Sequence, residues 1–289
     1  MTQPPVVPHF SALVDRYDGF IVDLWGVVHD GVRAFPGVVD CLRRLRAAGK
    51  PACLLSNAPR RIPAVQDKLR SVGVPDDAYD HVMTSGEAVH EALRDRTDPD
   101  YAALGDRFVH IGPPRDDDLT EGLPLTEVAD PAAADFVLCT GIDRFEQTLD
   151  EYTPVLDQCR AANLPMICAN PDLVVMVGEL RAICAGTMAA YYQERGGRVL
   201  YHGKPHPGVY ARCRALLGDP PAGRVLALGD SLHTDIAGAA AAGMDALLFA
   251  SGIHAGALMA DGRPDPMAAA RLLDEAGLQA VGLMADLVW

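Results

Sequence analysis

Positive charge is scarce in this chain. Its 289 residues carry 25 Lys and Arg against 39 Asp and Glu, a formal net charge of −14 at pH 7. Such a surface repels phosphate backbones, so nucleic acid is not an expected partner and any small anion needs a local positive site. No C-x-x-C pair occurs among the seven cysteines, Cys41, Cys53, Cys139, Cys159, Cys168, Cys184 and Cys213. Odd in number and set among apolar neighbours, they read as reduced core thiols of a cytoplasmic protein. Apolar runs are broken by charge or glycine well before the length of a membrane span, and the proline-rich start lacks the basic and apolar regions of a secretory signal, so neither export nor a membrane route is expected. Internal repeats are absent too. What the chain does have is 49% hydrophobic residues, enough at about 150 residues per domain for two cores.

The apolar run Phe20-Ile21-Val22 ends in Asp23, and Gly26 and Gly31 mark a loop before an amphipathic stretch. That stretch has Pro36 near its start, apolar Val38, Val39, Leu42 and Leu45, and a stop at Gly49, the proline-in, glycine-out asymmetry of a helix. A second strand over 52–55 ends in Ser56-Asn57, and its helix carries Val65, Leu69 and Val72 up to Gly73. Two strand-helix units in succession predict a parallel α/β sheet. The same grammar returns after residue 180, with a strand over 199–201, a helix over 207–217, a strand over 225–228 ending in Gly229-Asp230, an alanine-rich helix over 236–242, and a last strand over 246–249 preceded by Asp245 as a turn residue. Strand-like runs over 108–111, 136–140 and 166–169 lie between and read as a second α/β lobe inserted into the first.

Ligands of open α/β sheets gather at the carboxyl ends of strands, which makes Asp23, Ser56, Lys204 and Asp230 one candidate site. These are the groups that covalent phosphoryl transfer needs. A carboxylate can attack phosphorus and hold it as an acyl phosphate. Magnesium takes oxygen ligands and keeps several waters, and Asp23 and Asp230, with Asp235, offer carboxylates. A lysine and a strand-end hydroxyl with its neighbouring amides, Lys204 and Ser56-Asn57, can neutralise the equatorial phosphoryl oxygens.

The segments Asp23-Leu24-Trp25-Gly26-Val27, Leu55-Ser56-Asn57, Gly203-Lys204-Pro205-His206-Pro207 and Gly229-Asp230-Ser231-Leu232-His233-Thr234-Asp235-Ile236 resemble, in order, the four motifs of the haloacid dehalogenase (HAD) superfamily. The lobe between the second and third resembles the cap of the class IIA, NagD-like phosphatases, and Asn170-Pro171-Asp172 the stretch where that cap returns to the core. The resemblance covers nearly the whole chain. It implies an α/β fold: a doubly wound parallel-sheet HAD-like core, residues 1–86 and 181–289, with an inserted α/β cap domain over 87–180. It also implies a magnesium-dependent phosphatase of a small phosphorylated metabolite, acting through an aspartyl-phosphate. Asp23, Lys204 and Ser56 would be catalytic, and Ser56, Asn57 and Lys204 would contact phosphate. Magnesium would be held by the Asp23 carboxylate, the Trp25 main-chain carbonyl and Asp230, with Asp235 as a further ligand or its partner. A large cap also offers a surface for a homodimer.

The chain departs from the family at Trp25. Most HAD phosphatases carry aspartate there, to protonate the leaving group and then activate water, and indole can do neither. General acid–base assistance contributes about 10²–10⁴-fold, so three outcomes stand open: a substitute group on the same loop, for which His29 and Asp30 are the candidates; a slow phosphatase or phosphotransferase with a long-lived acyl phosphate; or a protein that binds a phospho-ligand without turnover. Three other features carry less. The run Asp116-Asp117-Asp118 reads as a solvated loop. His202 and His206 are spaced like a zinc pair, but Gly203 and Pro205 between them break the helix that pairing requires. Asp172 reads equally as a turn residue and as part of the substrate pocket.

Overall fold

The computed structural model describes residues 3–177 and 180–289. The chain divides into two compact units, one formed by residues 1–56, 63–83 and 204–289 and the other by 57–62 and 84–203.

The first unit is built on a six-stranded sheet, in the order Gly282–Met284, Asp245–Phe249, Val225–Gly229, Gly19–Asp23, Ala52–Ser56 and His81–Thr84. From the first of these through Ala52–Ser56 every neighbouring pair is parallel. The strand Gly19–Asp23 is buried at every position, as expected of a parallel strand covered on both faces. Ile21, Cys53, Leu55 and Ala227 pack with Val209, Tyr210 and Cys213 of the helix Pro207–Leu216. The helix Val38–Ala47 buries Val38, Cys41, Leu42 and Leu45, each large apolar side chain worth about 1.5–3 kcal/mol once out of water.

The first strand, Gly19–Asp23, lies in the middle of this sheet, and the chain then moves outward through 52–56 and 81–84 and later returns to the other side at 225–229. Strand order therefore reverses beside Gly19–Asp23, the point where open α/β sheets form a crevice. The register pairs Val22 with Leu228 and Asp23 with Leu55, so Asp23, Ser56 and Asp230 emerge at the same edge. Both edge strands, His81–Thr84 and Gly282–Met284, and the helix Pro266–Ala276 were not expected from the pattern of residues. The expected helix over 236–242 is preceded by a π-helical turn, Leu232–Ile236, a rarity that tends to occur at functional sites. Asp245 is more than a turn residue, since its carboxylate accepts a hydrogen bond of 2.7 Å from the Tyr17 hydroxyl.

The second unit holds a five-stranded parallel sheet in the order Val199–Tyr201, Met166–Cys168, Phe136–Cys139, Arg107–Ile111 and Thr126–Glu127, with an antiparallel hairpin of Val174–Val177 and Leu180–Ile183. Its extent corrects the expected 87–180. Val199–Tyr201 pairs with Met166–Cys168, and the helix Ala185–Glu194 buries Ala185, Met188, Ala189 and Tyr192 in this unit's core. Helix and strand alternate identically in both units, so nothing in the residue pattern marks where one sheet yields to the other. All seven cysteines are buried and unbridged. No described helix is long and apolar enough to cross a membrane.

Candidate active site

Asp23 closes its strand with its carboxylate buried. Lys204 comes from the segment before the helix Pro207–Leu216, and its Nζ donates both to Asp23 Oδ1 and, at 2.7 Å, to Asp235 Oδ1. Asp235 sits in the π-helical turn, and its other oxygen accepts the Ser231 N–H at 3.1 Å. Asp230 follows the strand Val225–Gly229, and its Oδ2 accepts the Ile253 N–H at 2.7 Å. One oxygen from each of Asp23, Asp230 and Asp235 lies within 4.8 Å of the others. The approach is close on every side. At Gly26, where φ is +84°, a Cβ would fall 2.1 Å from Asp230 Oδ2, and at Gly252 one would fall 2.0 Å from the same atom.

Three buried carboxylates around one ammonium group repel each other. Burial and the neighbouring Asp235 push the Asp23 carboxyl well above its ordinary range, although Lys204 opposes them. The same two causes push Asp230 up to about 7 against the opposing Ile253 amide. Fully ionised, the cluster holds two negative charges that Lys204 does not balance. An all-oxygen donor set, out of water and short of positive charge, fits a hard divalent cation.

The loop after Asp23 is tied together by its own polar groups. Leu24 O accepts the Val28 and His29 amides, and Gly26 N donates to His29 O. His29 Nδ1 accepts the Gly31 N–H at 3.0 Å, and its buried ring meets Trp25 edge-on at 5.6 Å between centroids. Burial, then Lys68, lowers the His29 imidazole to about 4. Asp30 Oδ1 accepts the amides of Val32 and Arg33, both at 2.8 Å, and these bonds hold its carboxyl below the ordinary range. Both residues weighed as substitute acid–base groups are thus engaged in folding the loop. Trp25 remains 43% exposed.

The phosphate-contact candidates divide between the units. Ser56 ends a strand of the first, and Asn57 opens the short piece, 57–62, that belongs to the second. That piece is anchored there along its length. Gly86 N donates to Ala58 O, Thr84 Oγ1 donates to Arg60 O, Arg61 grips Glu87 through two bonds, and Ile62 N donates to Glu87 Oε2. Asn57 Nδ2 itself donates to Asp172 Oδ1 at 2.8 Å, and Asp172 N donates to Asn170 Oδ1 at 3.0 Å. Asp172 is therefore a partner of Asn57 as well as a turn residue.

The second unit also contains a cavity of about 150 Å³ lined by Arg60, Arg115, Asp116, Thr140 and Phe145 among others. Asp116 is almost wholly buried there, with Arg60 at 3.6 Å, and burial raises its carboxyl to about 6. This overturns the expectation of a solvated acidic loop: the 3₁₀ turn Pro114–Thr120 directs its first acid inward. His202 bonds through Nε2 to the Tyr101 hydroxyl at 2.5 Å, which is no zinc pair.

Sequence reasoning missed the Ile253 amide on Asp230 and the Tyr210 hydroxyl, which donates to the carbonyls of Thr234 and Asp235, each at 3.2 Å. The strand end at Ser251-Gly252 was a usable signal for the first. Tyr210 gave none, since a tyrosine inside an amphipathic helix reads as core.

A family model described as haloacid dehalogenase-like hydrolase matches residues 20–153, and a second, HAD-hydrolase-like model matches 201–276. The crystal structure of a haloacid dehalogenase-like hydrolase from Brucella suis 1330 superposes with a TM-score of 0.82 at 34% identity, covering 98% of this chain and 100% of that one. The chain belongs to the haloacid dehalogenase-like hydrolases. This HAD-like hydrolase is also similar to chronophin from Homo sapiens, 29% identical over 273 residues that span 88% of this chain and 89% of that protein. Glycerol-3-phosphate phosphatase from Gallus gallus is 28% identical over 264 residues, 84% of this chain and 82% of that one.

Proposed function

We propose that this HAD-like hydrolase is a magnesium-dependent phosphoric monoester hydrolase of small phosphorylated metabolites, working through an aspartyl-phosphate on Asp23. The observation behind this reading is the buried cluster of Asp23, Asp230 and Asp235 around Lys204 at the switch point of the sheet. The name of the Gallus gallus relative points to the same chemistry. Asp23 attacks phosphorus, and the electron pair of the broken P–O bond leaves with the departing oxygen. Lys204 offsets charge on the phosphoryl oxygens, and Ser56 adds a hydrogen bond to them. Asp23, Asp230, Asp235 and the Trp25 carbonyl would hold magnesium, which when bound neutralises the excess carboxylate charge and polarises the phosphoryl group. Asp230 is fixed by the Ile253 amide, and Asp235 by the Ser231 amide and Lys204, so both ligands are oriented in advance.

The test is turnover of a panel of phosphate esters with magnesium by the wild-type protein and by Asp23→Asn. Loss of a nucleophile costs on the order of 10⁴-fold or more, and rapid quenching should trap phosphate on the wild type alone. Turnover that survives in Asp23→Asn, or that is complete in EDTA, defeats the reading.

A further inference from the structure

Trp25 stands where the family resemblance expects the proton donor, and the geometry of its loop leaves that role unfilled. The Trp25 backbone runs beside the carboxylate cluster, since the next residue, Gly26, is so close to Asp230 that a Cβ there would lie 2.1 Å from Oδ2. The indole itself offers an N–H that does not titrate. Its ring reaches across to Gly31, where a Cβ would fall 2.5 Å from the tip of the indole, so the loop is shaped around the tryptophan. The remaining polar side chains of the loop bond within it. His29 Nδ1 receives the Gly31 N–H under the Trp25 edge, Asp30 Oδ1 receives two amides, and the largely exposed Arg33 pairs with Asp30 at 3.7 Å. As bonded, Asp30 accepts as a carboxylate and His29 accepts at Nδ1, so among the described residues of this loop none is a carboxylic acid or an imidazolium ready to protonate a departing oxygen.

We propose that this chain acts on phosphate monoesters whose leaving group departs as a stabilised anion, such as aryl and enol phosphates, and discriminates against simple alkyl phosphates. The inference rests on the phosphatase reading and narrows its substrate class. In the first step the Asp23 carboxylate oxygen bonds to phosphorus while the P–O bond to the leaving group breaks, and the electron pair stays on the departing oxygen. An anion that resonance or a neighbouring carbonyl stabilises leaves without a proton, whereas an alkoxide does not. In the second step water bonds to phosphorus, the bond from phosphorus to Asp23 breaks, the carboxylate is regenerated, and the two protons of the water stay on the dihydrogen phosphate released. Neither step calls on an acid from the loop.

The experiment measures kcat/KM for ring-substituted phenyl phosphates from 4-nitro to 4-methoxy, and for glycerol 3-phosphate, with magnesium, using wild type, Trp25→Asp and Asp23→Asn. In the wild type the rate should fall steeply as the leaving group becomes more basic. 4-Nitrophenyl phosphate should exceed glycerol 3-phosphate by at least about 10²–10⁴-fold, the factor a general acid ordinarily supplies. Trp25→Asp should raise the alkyl ester more than the nitrophenyl ester and flatten the dependence. A flat dependence in the wild type, with turnover that needs Asp23, overturns this inference and leaves the phosphatase reading standing. Turnover of no ester, or turnover indifferent to Asp23→Asn, overturns both. Because the wild-type series decides alone, a Trp25→Asp protein that fails to fold does not remove the test.

Discussion

The strand ends of the first unit and the segment 57–62 of the second solve the same problem, holding a polar group still, by different means. At the strand ends, Asp23, Asp230 and Asp235 are fixed by backbone amides and by Lys204, and burial together with repulsion from Asp235 raises the carboxyl groups of Asp23 and Asp230. In the second unit, Asn57 is fixed by a side chain 115 residues away, Asp172, on a piece of chain that Arg61 and Glu87 anchor. The first arrangement depends on charge and should respond to pH and cations. The second is a positioning device, and it should respond to shape and to hydrogen-bond donors and acceptors.

The largest effect that would test this contrast is expected at Lys204. Lys204→Met leaves buried carboxylates without their counter-charge, and breaking a buried ion pair costs about 3–5 kcal/mol. Denaturant unfolding should show a loss of that order, partly recovered when a divalent cation is added. A variant as stable as wild type would mean that the cluster is not strained by charge.

In the second unit, Asp172→Ala removes a hydrogen bond between Asn57 and a charged group, worth about 1.5–3 kcal/mol, and denaturant unfolding should show a loss of stability of that order. Asp172→Asn keeps an oxygen acceptor and should recover most of the loss. If both substitutions act alike, Asp172 contributes charge and not orientation.

Metal-free protein should lose stability as pH rises. Asp23 and Asp230 have folded-state carboxyl groups raised above their unfolded values, Asp230 to about 7, so the folded state binds protons more tightly than the unfolded one. The contribution is therefore complete below about pH 4 and is lost as pH climbs through about 7. Added magnesium should raise Tm more at about pH 8 than at about pH 5, because the ionised carboxylates bind it. Thermal melts across that range check the sign.

The smallest effect is expected at His29. As an acceptor for the Gly31 amide it contributes about 1 kcal/mol, so His29→Ala should lower stability by that amount and shift turnover only as far as the loop loosens. A pH–rate profile that loses a limb in His29→Ala would show the imidazole acting on the substrate after all.

The residue pattern alone carried the parallel core, the strand-end acids and Lys204, because a short apolar run ending in a polar residue is a local signal and the ends of parallel strands meet by construction. The family resemblance of its motifs added the anomaly at Trp25. Tertiary structure decided what local signals cannot encode. Val199–Tyr201 has the same pattern whichever sheet it joins, and only pairing with Met166–Cys168 assigned it to the second unit. Asp116 looked like any acid in a polar run until the fold turned it into a cavity beside Arg60. His29 and Asp30 have the chemistry of proton carriers, and only the fold showed that Nδ1 of the one and Oδ1 of the other accept the backbone amides of Gly31, Val32 and Arg33. Residue type and spacing set which groups are available near a strand end; burial and hydrogen bonding, which arise only when distant segments pack, set which of them are left to do chemistry.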